Sequence, residues 1–277
     1  MSQVEQTVQG YYGSRPVLAR IDAALRAAGK DPEKVGHRDL WPYDQLHGRG
    51  LLATREHAVR AGIRPGLHVL DLGCGIGGSS RYLAAESGCR VTAIDLTPEF
   101  VETARALNRR CGLADRIEVR QASALALPLP DAAFDHVWCH NVTMNIGDKT
   151  GLAREVVRVL KPGGRFSCEE TAQGPAGPPT FPLPWATDES SSFLVPPAAM
   201  RAALEAGGLA ILEQTDITAA GIAFARDATE RVARGELPAP MNQVVNADDY
   251  SIRLRNTQAG AADGRLVNQF ILAQKPA

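Results

Sequence analysis

The run Val69-Leu70-Asp71-Leu72-Gly73-Cys74-Gly75-Ile76-Gly77-Gly78 leaves a folding chain little choice. An apolar segment ends in a carboxylate and enters a glycine-rich turn. The turn opens a helical segment, Ser79-Ser80-Arg81-Tyr82-Leu83-Ala84-Ala85. Glycines admit positive φ and close backbone approach, and a helix start presents free N–H groups to a ligand. Taken alone, Gly73-x-Gly75-x-x-Gly78 fits the dinucleotide fingerprint, and Asp95 falls about 20 residues on, where a ribose-binding acid belongs. Asp71 decides against a pyrophosphate. A carboxylate two residues ahead of the first glycine repels that group and suits an ammonium, so a nucleoside with an amino-acid tail, S-adenosylmethionine, fits better than NAD.

The segments that follow extend one sheet. Arg90–Asp95 reads as a second strand, followed by Thr97 and Pro98 as the cap and first turn of a helix to Cys111. Arg116–Gln121 is a third strand, and the turn Ala122-Ser123-Ala124-Leu125 after it should pass the adenine ring. Phe134–Cys139 is a fourth strand, Asp148–Leu160 a helix, and Lys161-Pro162-Gly163-Gly164 a stop before a fifth strand, Arg165–Glu170. A helix at Pro197–Ala206 and strands at Leu209–Thr218 and Leu266–Gln274 complete the pattern. Strands alternating with helices imply parallel crossovers, hence an α/β, Rossmann-like, doubly wound, seven-stranded and mostly parallel sheet. Ligands then bind beyond the carboxyl ends of the strands.

These motifs resemble one family. The glycine run, Asp95, Leu127-Pro128-Leu129-Pro130-Asp131-x-x-Phe134-Asp135 and Val159-Leu160-Lys161-Pro162-Gly163-Gly164 together resemble class I S-adenosylmethionine-dependent methyltransferases of the small-molecule type, over about Leu67 to Ile217. Asp44-Gln45-Leu46-His47-Gly48-Arg49-Gly50, Met144-Asn145-Ile146-x-Asp148-Lys149 and Pro182-x-Pro184-Trp185 are similar to a bacterial subgroup near the sarcosine/dimethylglycine N-methyltransferases. The resemblance implies cofactor contacts at Asp71, Gly73, Cys74, Gly75, Gly77, Asp95, Leu96, Ser123, Ala124 and His140. One departure stands out. Many relatives carry Gly-Asp where this chain has Ala122-Ser123, so an acidic acceptor for the adenine amine is replaced by a hydroxyl or a backbone carbonyl.

Composition narrows the partners. A net charge of −1 gives no general attraction to nucleic acid or anionic membrane. No apolar run approaches the roughly 20 residues of a membrane span, and the start is too polar for a signal peptide. Five cysteines scattered without metal spacing read as reduced thiols of a cytoplasmic protein, with no metal implied. A monomer or homodimer acting on a small-molecule acceptor is expected.

Residues 1–62 read as an N-terminal helical cap and 63–277 as the core, with a substrate loop at 171–197 and a C-terminal helical insert at 219–262. Methyl transfer needs positioning and exclusion of water more than covalent chemistry, and the cap and loop would supply both. His140, just past the fourth strand, and His47, in the cap, are the candidate bases. Each can equally be a hydrogen-bonded structural histidine. His37, His57, His68 and His136 lack comparable placement and read as structural. Tyr11, Tyr12, Gln45, His47, Asn141, Met144 and Trp185 are the candidate acceptor contacts, with simple packing the competing account for the aromatic residues and Met144. One of Glu169 and Glu170 could hold a substrate cation, or both could be salt-bridged strand ends. The leading expectation is N-methylation of a small amine or amino acid. O- or C-methylation of a secondary metabolite or isoprenoid is the alternative. A non-catalytic cofactor-binding module comes third and a dehydrogenase last.

Overall fold

The computed structural model describes residues 2–12, 16–235 and 249–277. Among the described residues, four α-helices precede the first strand: α1 (Gln3–Tyr12), α2 (Val17–Ala27), α3 (His37–Asp44) and α4 (Gly50–Ala61). The sheet and its crossovers follow as β1 (His68–Leu72), α5 (Gly78–Ala85), β2 (Arg90–Asp95), α6 (Pro98–Arg110), β3 (Ile117–Gln121), β4 (Phe134–His140), α7 (Lys149–Val159) and β5 (Leu160–Gln173). The last part runs α8 (Pro197–Ala206), β6 (Ala210–Asp216), α9 (Thr218–Ala233), α10 (Tyr250–Ala262) and β7 (Leu266–Gln274). Part of the expected 219–262 insert, residues 236–248, lies outside the described residues.

The seven strands form one sheet in the order β3-β2-β1-β4-β5-β7-β6. β3 through β5 pair in parallel, and β7 enters antiparallel between β5 and β6. Strand order reverses between β1 and β4, so the crevice opens where their carboxyl ends diverge. The doubly wound expectation holds in full.

Two boundaries shift. β5 starts at Leu160, not Arg165, and continues through the Lys161–Gly164 stretch read as a stop. Gly163 takes φ +72°, and main-chain bonds from Gly163 and to Gly164 pair this stretch with Lys275 beyond β7. Pairing outside the local sequence thus overrides the turn signal. At its far end β5 reaches Gln173 against Leu266, so the connection expected from 171 begins at Gly174. Thr97 occupies the N-cap position of α6 without capping it through its side chain. Its main-chain N–H donates to Asp95 Oδ1 at 2.9 Å instead.

Amphipathic spacing explains how the N-terminal helices seat. Val17, Ile21 and Leu25 repeat every four residues on α2 and are fully buried with Leu40, Tyr43, Ile76, Phe100 and Leu107. An apolar stripe of this period covers one helix face. A buried ion pair adds specificity, Arg81 Nη2 of α5 donating to Asp44 Oδ2 of α3 at 3.0 Å and Arg81 Nη1 to Asn108 Oδ1 at 2.9 Å. Gly78 is where the cap touches the glycine turn. A Cβ there would lie 2.1 Å from the Asp44 carbonyl oxygen, so only glycine permits this approach.

Candidate functional site

The glycine turn wraps the end of β1. Gly73, Gly75 and Gly77 take φ of +75°, +53° and +85°, values that disfavour a side chain. A Cβ on Gly73 would also sit 2.4 Å from Val142 Cγ2, because the segment after β4 crosses directly over the turn. Asp71, at β1, is buried and accepts from Ser80 Oγ at 2.5 Å. Burial pushes its carboxyl up to about 7, against the Ser80 hydrogen bond and with further upward push from Asp95. Asp95 closes the turn from β2, its Oδ2 accepting the Gly75 N–H at 2.8 Å. Burial raises its pKa as well.

A cavity of about 1730 Å³ runs from this turn past the ends of β4 and β5 to α9 and α10. Asp71, Gly73, Cys74, Gly75, Asp95, Leu96, Ser123, Ala124 and His140 all line it, as do Tyr12, Gln45, His47, Asn141, Met144 and Trp185. Two expected contacts fall elsewhere. Gly77 does not line the cavity; its Cβ would meet Arg81 Nη1 at 2.9 Å, so it serves the packing of α5. Tyr11 is also absent from the wall. Its hydroxyl donates to the Pro184 carbonyl at 3.0 Å, tying α1 to the loop after β5.

The two candidate bases meet. His47 and His140 stack with ring centroids 3.6 Å apart and planes 17° off parallel. Burial pulls His47 down to about 4 and His140 well below its ordinary value, so both are neutral near pH 7. His47 bonds the Gly48 carbonyl and Thr54 Oγ1, each at 3.1 Å, whereas His140 Nδ1 is buried without a partner. His140 Nε2 lies 4.0 Å from Glu169 Oε1, which is also 3.7 Å from Arg49 Nη2. Burial raises Glu169 to about 7 against the pull of Arg49. Its neighbour Glu170 accepts from Gln269 through Oε1 at 3.0 Å and leaves Oε2 unpartnered. Burial lifts it to about 7 too. The expected choice of one glutamate is replaced by two, since both line the cavity.

Several residues at the site gave no sequence signal for the place they take. Asn145 accepts from the Tyr12 hydroxyl at 3.3 Å and donates to the Trp185 carbonyl at 3.1 Å, joining α1, the post-β4 turn and the loop. Glu5 of α1 accepts from Ser123 Oγ in the turn after β3. His57, read as structural, stacks on Trp138 at 3.5 Å and bonds Ser167 Oγ at 2.7 Å. Ligand atoms of His57, His140 and Glu169 fall within 4.8 Å of one another, the grouping of metal-ligating type found among the described residues. Asn145 and Glu5 become legible only when helix α1 is placed over the cavity.

The donor set suits one class of ligand. Two acids flank the glycine turn, which disfavours an anionic ligand group there, and Arg81 of the helix that the turn opens is committed to Asp44. Comparison with known proteins agrees. Residues 70–168 match the family described as "Methyltransferase domain". The chain is 36% identical over 136 residues to "Sterol 24-C-methyltransferase ERG6B" of Gibberella zeae, an alignment covering 48% of this chain and 36% of that protein. It is 40% identical over 102 residues to "Sarcosine/dimethylglycine N-methyltransferase" of Halorhodospira halochloris, covering 37% of each. The chain thus spans about a third of the length of these two relatives. Among solved structures, "[4+2]-Cyclase SpnF" superposes with a TM-score of 0.72 at 23% identity, covering 100% of this chain and 98% of that one.

Proposed function

We propose that this chain, whose residues 70–168 match a methyltransferase domain, is a class I S-adenosylmethionine-dependent methyltransferase that transfers a methyl group to a small-molecule acceptor. The observation that carries the reading is continuity. One cavity joins the glycine turn and Asp95 to the ends of β4 and β5, so cofactor and acceptor would share a single continuous space. The bound cofactor supplies a methyl group already activated on a sulfonium. Asp71 would hold its ammonium, Asp95 its ribose hydroxyls, and the turn 122–125 the adenine.

The residues of the chain do the rest by placement. Asn145 and Tyr12 fasten α1 and the 174–196 loop over the cavity, and shutting out water strengthens every polar contact inside. Alignment of donor and acceptor at attack distance can supply roughly 7–11 kcal/mol in well-oriented systems. Where the acceptor arrives protonated, the neutral His140 imidazole takes the proton, and Glu169 beside it stabilises the resulting cation.

Cavity size ranks the acceptors. About 1730 Å³ exceeds the roughly 300–1,000 Å³ of ordinary ligand pockets, leaving space beside a cofactor for a bulky molecule. Met144, Trp185, Phe193 and Ile222 give that space apolar walls. O- or C-methylation of a bulky, largely apolar metabolite therefore moves ahead of N-methylation of a small amine or amino acid. The amine reading keeps one support, the carboxylates of Glu169 and Glu170 on the wall, which suit a cationic group. No helix among the described residues is long and apolar enough to cross a membrane. Calorimetry with S-adenosylmethionine, S-adenosylhomocysteine and NAD(P) tests the class. Binding of the first two alone is expected, and binding of NAD(P) alone would overturn it. A screen of phenols, polyketide-like alcohols, prenyl compounds and small amines then separates the acceptors.

A further inference from the structure

The geometry points to Glu5 of α1 as the acceptor for the exocyclic amine of the cofactor's base, a carboxylate delivered by the N-terminal helix to a turn that has none of its own. This inference rests on the cofactor reading above. Past Asp95, the cavity wall continues as Leu96, Phe100, Ala124 and Leu125, which are apolar. A purine there needs a partner for its N–H donors, and an unmet donor in such a place costs about as much as a lost hydrogen bond. The turn itself offers Ala122 and Ser123. Ser123 Oγ accepts from Leu125 N at 3.1 Å and donates its one proton to Glu5 Oε1, so the turn itself offers a neutral hydroxyl where Glu5 offers a charge.

Glu5 completes the set. It lines the same cavity as Val4, Val8 and Ser123. Its Oε1 takes the Ser123 hydroxyl and its Oε2 the Ser2 N–H at 2.6 Å, so each oxygen keeps a second lone pair. The Ser123 hydroxyl holds the Glu5 carboxyl below the usual carboxylate range, which keeps it ionised as an acceptor-only group. A carboxylate accepts from an amine and repels a carbonyl. Glu5 therefore selects an amino purine over an oxo purine. Because the carboxylate sits on α1, base recognition and seating of α1 become one event.

The test is binding of S-adenosylhomocysteine and of S-inosylhomocysteine, which has a carbonyl in place of the amine, to the full chain and its variants. Glu5→Ala lies on a partly exposed helix and leaves the fold intact. It is expected to weaken the adenosyl ligand by roughly 10–100-fold, the range of a hydrogen bond to a charged group. It should also collapse the preference for adenosyl over inosyl. Ser123→Asp placed on Glu5→Ala should recover most of the affinity and the preference, whereas Ser123→Asp alone should gain nothing, because two carboxylates then face each other. Unchanged affinity and preference in Glu5→Ala would overturn the inference. So would failure of Ser123→Asp to rescue. Failure of the unmodified chain to bind S-adenosylhomocysteine would instead sink the cofactor reading.

Discussion

The two ends of the cavity are built in opposite ways. At the cofactor end, Asp71, the glycine turn and Asp95 come from one β–α–β unit, and function rests on backbone shape plus two acids. At the proposed acceptor end, Tyr12, His47, His140, Glu169 and Trp185 come from elements spread over most of the chain, and the wall is made by side chains. Contiguity makes the first end rigid and general. Convergence makes the second end dependent on every element that carries it.

That contrast can be broken experimentally, and the largest effect should come from the acceptor end. His140→Asn is expected to lower kcat by about 10²–10⁴, the usual worth of a general base. Affinity for S-adenosylhomocysteine should stay within a few-fold. A larger loss in affinity than in kcat would transfer His140 to the cofactor end. Next comes the joint between the cap and the turn. Arg81→Ala strands Asp44 in the interior and should cost about 3–5 kcal/mol of stability, measured by urea unfolding. A loss under ~1 kcal/mol would mean that the cap is held by its apolar face alone.

Asp71→Asn separates stability from binding. Affinity for S-adenosylhomocysteine should fall by about 1.5–3 kcal/mol as the ammonium loses its charged partner. Stability at pH 8 should hold or rise. The folded pKa of Asp71, about 7, stands above its ordinary 3.8, so ionisation costs the fold between those values and the amide avoids that cost. Equal losses in binding and stability would make Asp71 structural. The smallest effect is in pH. A bound ammonium lowers the pKa of Asp71, so the complex holds fewer protons than the free protein. Affinity should climb about tenfold from pH 6 to 8 and level off once Asp71 is ionised without ligand. Asp71→Asn should flatten that curve, and a slope of the opposite sign would exclude the pairing.

The legibility of each end follows from the same contrast. Asp71, Gly73, Gly75 and Asp95 could be placed from their order because a strand–turn–helix unit converts spacing directly into position. Gly77 belonged to the motif but serves the packing of Arg81, since spacing reports backbone freedom without saying what uses it. His140 and His47 were legible as candidates at strand and cap ends; their stacking was not. His57 reads as structural and is buried against Trp138 and Ser167; what its interior helix position does not announce is that its imidazole also lies near His140 and Glu169. Tyr11, one residue from Tyr12 in the chain, turns to Pro184 and leaves the cavity wall.

By itself the amino-acid sequence determined the alternation of strands and helices, the doubly wound sheet and the acid–glycine–acid signature, because these depend on local spacing and short crossovers. Tertiary structure alone decided that Leu160–Gly164 joins β5, that Asp44 docks on Gly78, and that Glu5 reaches Ser123. Each of these is a contact between distant segments. Such contacts form only once the sheet has set the distances, and no periodicity along the chain encodes them.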